Sequence, residues 1–124
     1  MTDDGFMTIS AAQADSFYTE VLQNDEVWTI QDPEGIPSPP NAEGVRAMPF
    51  WSLRDRAEDA VSNTSAYADF NIVAVPLQEW RSAWLAGMRD DGMLVGINWT
   101  GGNVTGVDLD PEEVERSLDS REFS

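Results

Sequence analysis

The chain has 124 residues, 41% of them hydrophobic and five of them tryptophan, enough for one domain with a sizeable core. It carries 23 acidic residues against seven basic ones, all seven arginine, for a net charge of −16, and it has no histidine, lysine or cysteine. This excludes disulfides, thiolate and imidazole chemistry, lysine Schiff bases and cysteine-held zinc, and it disfavours nucleic acid and anionic membranes as partners.

Residues 1–9 read as a flexible leader. "MTDDGFMTIS" is acidic where a secretory signal is basic, and no run of the chain is apolar enough for a membrane span, so the expected location is cytoplasmic. Ser10 and Gln13 have capping-box spacing, and Ala14, Phe17, Tyr18 and Val21 follow at helical intervals. "EVWTIQ" (26–31) is a strand with Trp28 and Ile30 on one face. From Asp32 to Gly44 the chain places four prolines and two glycines in 13 residues, a long loop between antiparallel strands.

Residues 45–50 form the next strand, with Arg46, Met48 and Phe50 on one face and Pro49 limiting it to an end or an edge. Ser52 is placed to cap the following helix, whose Leu53, Ala57, Ala60 and Val61 share a face and whose Arg54 and Glu58 can pair. "FNIVAV" (70–75) is a strand that ends at Pro76. A helix then carries Leu77, Trp80, Trp84, Leu85 and Met88 toward a core. In "MLVGINW" (93–99), alternation puts Met93, Val95, Ile97 and Trp99 on one face. "TGGN" turns the chain into "VTGVDL" (104–109), and Asp110-Pro111-Glu112-Glu113 opens a last helix. These elements predict one α+β domain over residues 10–118, with a loose tail at 119–124. Its order is αββαβαββα, about five strands in a mixed or mostly antiparallel sheet packed with about four helices.

Candidate chemistry is sparse. Asp108, Asp110, Glu112 and Glu113 form a local acidic cluster, but helix capping explains them and no calcium-loop pattern is present. No metal or cofactor is expected. A serine nucleophile would have neither histidine nor lysine as its base. The sequons at Asn63, Asn98 and Asn103 lack a secretory context. Trp80 and Trp84 are core candidates, whereas Trp28, Trp51 and Trp99 stand at strand positions open to core or interface.

Taken together, "EVWTIQDPEGIP", "GVRAMPFWSLRDRAE" and "DGMLVGINWTG" resemble a small bacterial family, domain of unknown function 2750. Its members carry a V-W strand, a Pro/Gly-rich loop, a P-F-W-S segment entering a helix with R-A-E, and a late G-I-N-W strand. The resemblance runs from Ser10 to Leu118 and brings no activity and no catalytic residues. At fold level alone, a strand ending in an apolar-Pro-aromatic run before a helix is similar to small α+β domains of secretion-associated and toxin-immunity proteins.

The expectation is a non-enzymatic protein-binding module, in its most concrete form an immunity-type inhibitor masking a basic partner. The expected contact region is Trp28, Asp32, Glu34, Glu43, Phe50 and Trp51. Two alternatives remain: a carboxylate- or metal-dependent enzyme, and an acidity that reflects only salt adaptation or codon bias.

Overall fold

The computed structural model describes residues 9–40, 43–100 and 107–122. Helix α1 (Ile9–Asn24) leads into β1 (Glu26–Gln31) through Asp25, whose left-handed φ of 59° makes the corner. After the Pro-rich loop come β2 (Ala47–Phe50), α2 (Arg54–Ser62), a single 3₁₀ turn (Ser65–Tyr67) and β3 (Asn71–Pro76). Helix α3 begins at Leu77–Glu79, widens to a π turn over Trp80–Trp84 and finishes as Leu85–Asp91, closed by Gly92 at φ 70°. β4 (Leu94–Ile97), β5 (Val107–Leu109) and α4 (Pro111–Glu122) complete the α+β fold in the expected order. The turn expected at "TGGN" falls largely outside the described residues. The last helix runs to Glu122, past the expected end at Leu118, because Arg121 and Glu122 are tied to Asp15 and Arg81.

The strands form two sheets. β1 pairs antiparallel with β3 from Glu26↔Pro76 to Gln31↔Asn71. β2 pairs parallel with β4, and β4 pairs antiparallel with β5. A single antiparallel bridge joins the two sheets: Trp28 and Trp51 exchange N–H···O bonds of 2.8 Å in each direction. Proline explains why pairing stops there. Two residues further on, the exchange would need an N–H from Pro49, which has none. The Thr29 hydroxyl, fully buried, donates to the Pro49 carbonyl instead at 2.8 Å. Beyond it, the Ala47 N–H donates to Pro39 in the loop at 3.1 Å.

Each face of this strand array has its own core. Val27, Val75, Phe50, Val95 and Ile97 pack with Phe17 and Val21 of α1, Trp80, Leu85 and Met88 of α3, and Val114 and Leu118 of α4. The π turn lets both Trp80 and Trp84 reach the Phe50 ring, at 5.2 and 5.9 Å between centroids. Ile30, Ala47, Trp51 and Trp99 pack on the other face with Ala57 and Ala60 of α2.

Trp99 is thus on the opposite face from Val95 and Ile97, contrary to simple alternation. Asn98 takes a left-handed φ of 48°, which ends the strand and turns Trp99 across the sheet. The indole then lies against Gly96, where a Cβ would be 2.5 Å from Trp99 Cε2 and Cζ2. Trp99 Nε1 continues to β5 and donates to Asp108 Oδ1 at 2.9 Å. Gly96→Ala is therefore expected to cost about 1–3 kcal/mol in urea unfolding. In a Trp99→Ala background that cost should fall by more than half. An equal cost in both backgrounds would show that the indole does not dictate the glycine.

Candidate functional site

The expected contact residues separate in space. Phe50 and Trp51 are 0% exposed, on opposite faces of the sheet, and neither offers surface to a partner. The correction has a simple cause: α1, α3 and α4 cover one face and α2 covers the other, so both rings of the "PFW" run are enclosed. Trp28 is half-buried, with the Arg54 guanidinium 5.6 Å above its ring centroid. Asp32 caps its own turn: its carboxylate accepts from the N–H groups of Glu34 and Gly35, while Asp32 and Gly35 exchange backbone bonds. Glu34 and Glu43 are exposed. The Pro-rich loop is bound down rather than held out, with Arg46 donating to the Ser38 carbonyl at 2.9 Å and Pro40 bridging Arg46.

A polar cluster that the sequence does not announce lies at the C-terminal ends of the parallel strands β2 and β4. The Asn98 N–H donates to the Phe50 carbonyl at 2.8 Å. Asn98 Oδ1 accepts from the Ser52 N–H at 3.0 Å, and Asn98 Nδ2 donates to Ser52 Oγ at 3.1 Å. Ser52 Oγ donates to Glu20 Oε1 at 2.5 Å. Arg56 grips the same carboxylate with two bonds, at 3.0 and 2.9 Å. Gln13 Nε2 reaches the carbonyls of Ile97 and Asn98 at 3.1 and 2.6 Å. Trp51 Nε1 donates to the Trp99 carbonyl at 2.8 Å.

Two local expectations change here. Ser52 does not cap α2; the residue in the cap position is Leu53, with no side-chain bond. The Ser52 hydroxyl donates to Glu20 and its oxygen accepts from Asn98 Nδ2, which turns the group away from the amides that open α2. Gln13, read as a capping-box residue, donates its side-chain amide to the end of β4. The residues that sequence reasoning missed are Glu20 and Gln13, which look like ordinary polar positions of an amphipathic helix. Asn98 and Ser52 did carry a signal, since each stands inside one of the two runs on which the family resemblance rests.

Chemically the cluster is a clasp. Ser52 is fully enclosed, and its proton is held by a carboxylate already neutralised by Arg56. Burial works to raise the Glu20 carboxyl, but the Arg56 and Ser52 hydrogen bonds outweigh it and hold the group below its ordinary value of 4.5. Asp108 goes the other way: burial raises its carboxyl, opposed only by the Trp99 hydrogen bond.

A second charged centre joins the helices. Arg81, with 15% of its side chain exposed, bonds to Glu115 and Asp119 at 2.6 Å and to Glu122 at 2.8 Å. Open grooves between α3 and α4 run along this cluster, and Glu115 and Glu122, which line them, already serve the arginine. Among the described residues, no three histidine, cysteine or acidic side chains meet closely enough to hold a metal ion. No helix among them is long and apolar enough to cross a membrane.

A carboxyl held below its ordinary value contributes stability above that value and loses it as pH falls. Relative to Glu20→Gln, the wild type should therefore lose stability between about pH 5 and pH 3, with the gap closing below. Parallel curves across that window would remove Glu20 from the clasp.

The tryptophans give a matched comparison, because Trp80 Nε1 is buried without a partner whereas Trp51 Nε1 has one. Trp51→Phe orphans the Trp99 carbonyl, and Trp80→Phe removes a donor that bonds nothing. The first should be more damaging by about 1 kcal/mol in chemical unfolding, and the reverse order would contradict these bonding assignments.

No curated protein matches the chain. A family model described as a protein of unknown function (DUF2750) matches residues 14–118. The match takes in both sides of the Ser52–Asn98 clasp and nearly the whole domain, and the chain belongs to that family.

Proposed function

We propose that this protein is a non-catalytic binding module for a basic protein partner, acting in the cytoplasm. The observation that carries this reading is the partition of charge. Five of the seven arginines, Arg54, Arg56, Arg81, Arg89 and Arg121, are engaged in ion pairs within the fold. The acids beyond their reach, such as Asp25, Asp55, Asp59, Asp69 and Glu79, lie exposed at the α1–β1 corner, on α2, ahead of β3 and on α3. Exposed, dispersed carboxylates favour a long-range attraction for cations over the paired, desolvated acids that catalysis requires. The buried hydroxyl of Ser52 and the binding of Glu115 and Glu122 to Arg81 in the α3–α4 grooves give the enzyme reading little support. The absence of cysteine fits a reducing compartment. An inhibitor that covers a basic enzyme is the most concrete form of the proposal.

The test is capture from an extract of the producing cell, followed by reconstitution with the purified partner. The expected result is one stoichiometric partner of net positive charge, with an association rate that falls steeply with added salt. Retention of nothing beyond what an unrelated acidic protein retains would refute the module. A large rise in unfolding free energy in multimolar KCl, with no partner, would assign the charge to salt adaptation instead.

A further inference from the structure

Resting on the proposed basic partner, we propose that it docks at the outer edge of β3, laying an extended segment of its own chain alongside Asn71–Pro76 as an additional strand.

The ladder register defines this edge. Trp28 directs its backbone groups to Trp51, so its antiparallel neighbour Ala74 directs its own N–H and C=O away from β1. Ile72 shares that outward parity. Pro76 does too, but it offers only a carbonyl. No other described strand pairs with β3 on this side, and no backbone bond among the described residues closes the Ile72 or Ala74 groups. Phe70, one step before the strand, is already closed by donating to Tyr67 at 3.0 Å. The exposed row is therefore the Ile72 and Ala74 amides with the carbonyls of Ile72, Ala74 and Pro76.

Sheet edges are normally blunted by a lysine, an inward charge, a bulge or extreme shortness. β3 has none of these along its six paired positions, and Pro76 protects only its end. β5, by contrast, is three residues long and carries Asp108. β3 reads "NIVAVP", with Ala74 exposed and Ile72 and Val73 half-buried. Beside it, Tyr67, Phe70 and Ile72 form an apolar patch packed on the second core, the two rings meeting edge to face at 5.6 Å. An added strand would place alternate side chains against that patch.

Charge decides what kind of strand fits. Asp69 precedes β3, Glu79 follows it, and Asp25 and Glu26 stand at the register end by Pro76. No described arginine is paired with any of these four. A second copy of this chain would bring another −16 to an acidic rim, so self-pairing is opposed. A segment alternating apolar and basic residues satisfies the amides, the patch and the rim together.

The probe is a ten-residue peptide of alternating valine and lysine, titrated into isotope-labelled protein at low salt. Two further versions are N-methylated, each at one of the two alternating sets of backbone nitrogens. The expected result is slowed exchange of the Ile72 and Ala74 amides on peptide binding, with one methylated version at least about tenfold weaker than the other. This design leaves the protein unaltered, so folding of a variant is not at issue. Binding with equal affinity by both methylated versions and no protection at β3 would overturn the edge and leave the basic-partner reading intact. No binding by any version would also overturn the edge, and the captured partner would then decide that reading by itself. If a partner is captured, Ala74→Lys should weaken it about tenfold or more, and unchanged capture would place the contact elsewhere.

Discussion

The fold turns on Asn98. Its backbone must be left-handed, at φ 48°, to end β4 and send Trp99 across the sheet. Its side chain must both accept, from the Ser52 N–H, and donate, to the Ser52 hydroxyl. Glycine would satisfy the first demand and lose the second. Aspartate would keep the acceptor and lose the donor, and β-branched residues tolerate the conformation poorly. Asparagine meets both, because its short amide is compatible with the left-handed region and carries both kinds of polar group. Everything around the sheet end follows: Gly96 must lack a Cβ because Trp99 lies on it, Trp51 finds its acceptor in the turned carbonyl, and Glu20 reaches Ser52 because Ser52 is held by Asn98.

The clasp lies beside a weak point of the strand array. Two sheets meet at one bridge because Pro49 withholds a donor, and a single two-bond bridge is a thin connection between them. One further hydrogen bond crosses the same seam, the Thr29 hydroxyl on the Pro49 carbonyl, and beside it the Ala47 N–H on the Pro39 carbonyl ties β2 to the loop. The Pro-rich loop thereby runs alongside β2 as a substitute strand at Pro39 and Pro40. Its prolines suit that use, since they supply carbonyl acceptors and hold an extended path without needing donors of their own.

What was legible in the sequence divides along the same line. Local periodicity was enough for the helices and strands: Phe17 and Val21, Leu77 and Trp80, and Val95 and Ile97 are buried as their spacing predicts. Alternation failed at Trp99 because it assumes an unbroken strand, and the break is a backbone state that asparagine permits but does not demand. The cap at Ser52 failed because its hydroxyl is oriented by partners distant in the chain, donating to Glu20, 32 residues away, and accepting from Asn98 Nδ2. No local pattern shows such partners. Phe50 and Trp51 were open between core and surface because a strand sequence does not say how many of its faces are covered. Helices on both sides settle the matter. The "PFWS" and "GINW" runs look like separate strand ends in the sequence, and the structure brings them together at one clasp.

The distribution of arginine separates stability from surface. Arg56 secures α2 to α1 through Glu20, Arg121 ties α4 to α1 through Asp15, and Arg81 ties α3 to three acids of α4. These pairs use scarce positive charge where two elements meet. Arg81 is largely shielded, so its pairs are screened less than exposed ones. Bonding to Glu115 first, against the opposing effect of burial, raises its already high affinity for the proton, so it stays charged throughout the accessible pH range. A cation approaching from outside therefore meets carboxylates that the fold does not depend on, and neutralising them relieves repulsion without breaking an internal pair. Under the proposed function, binding and folding draw on different acids, and a partner can come and go without disturbing the clasp at Asn98.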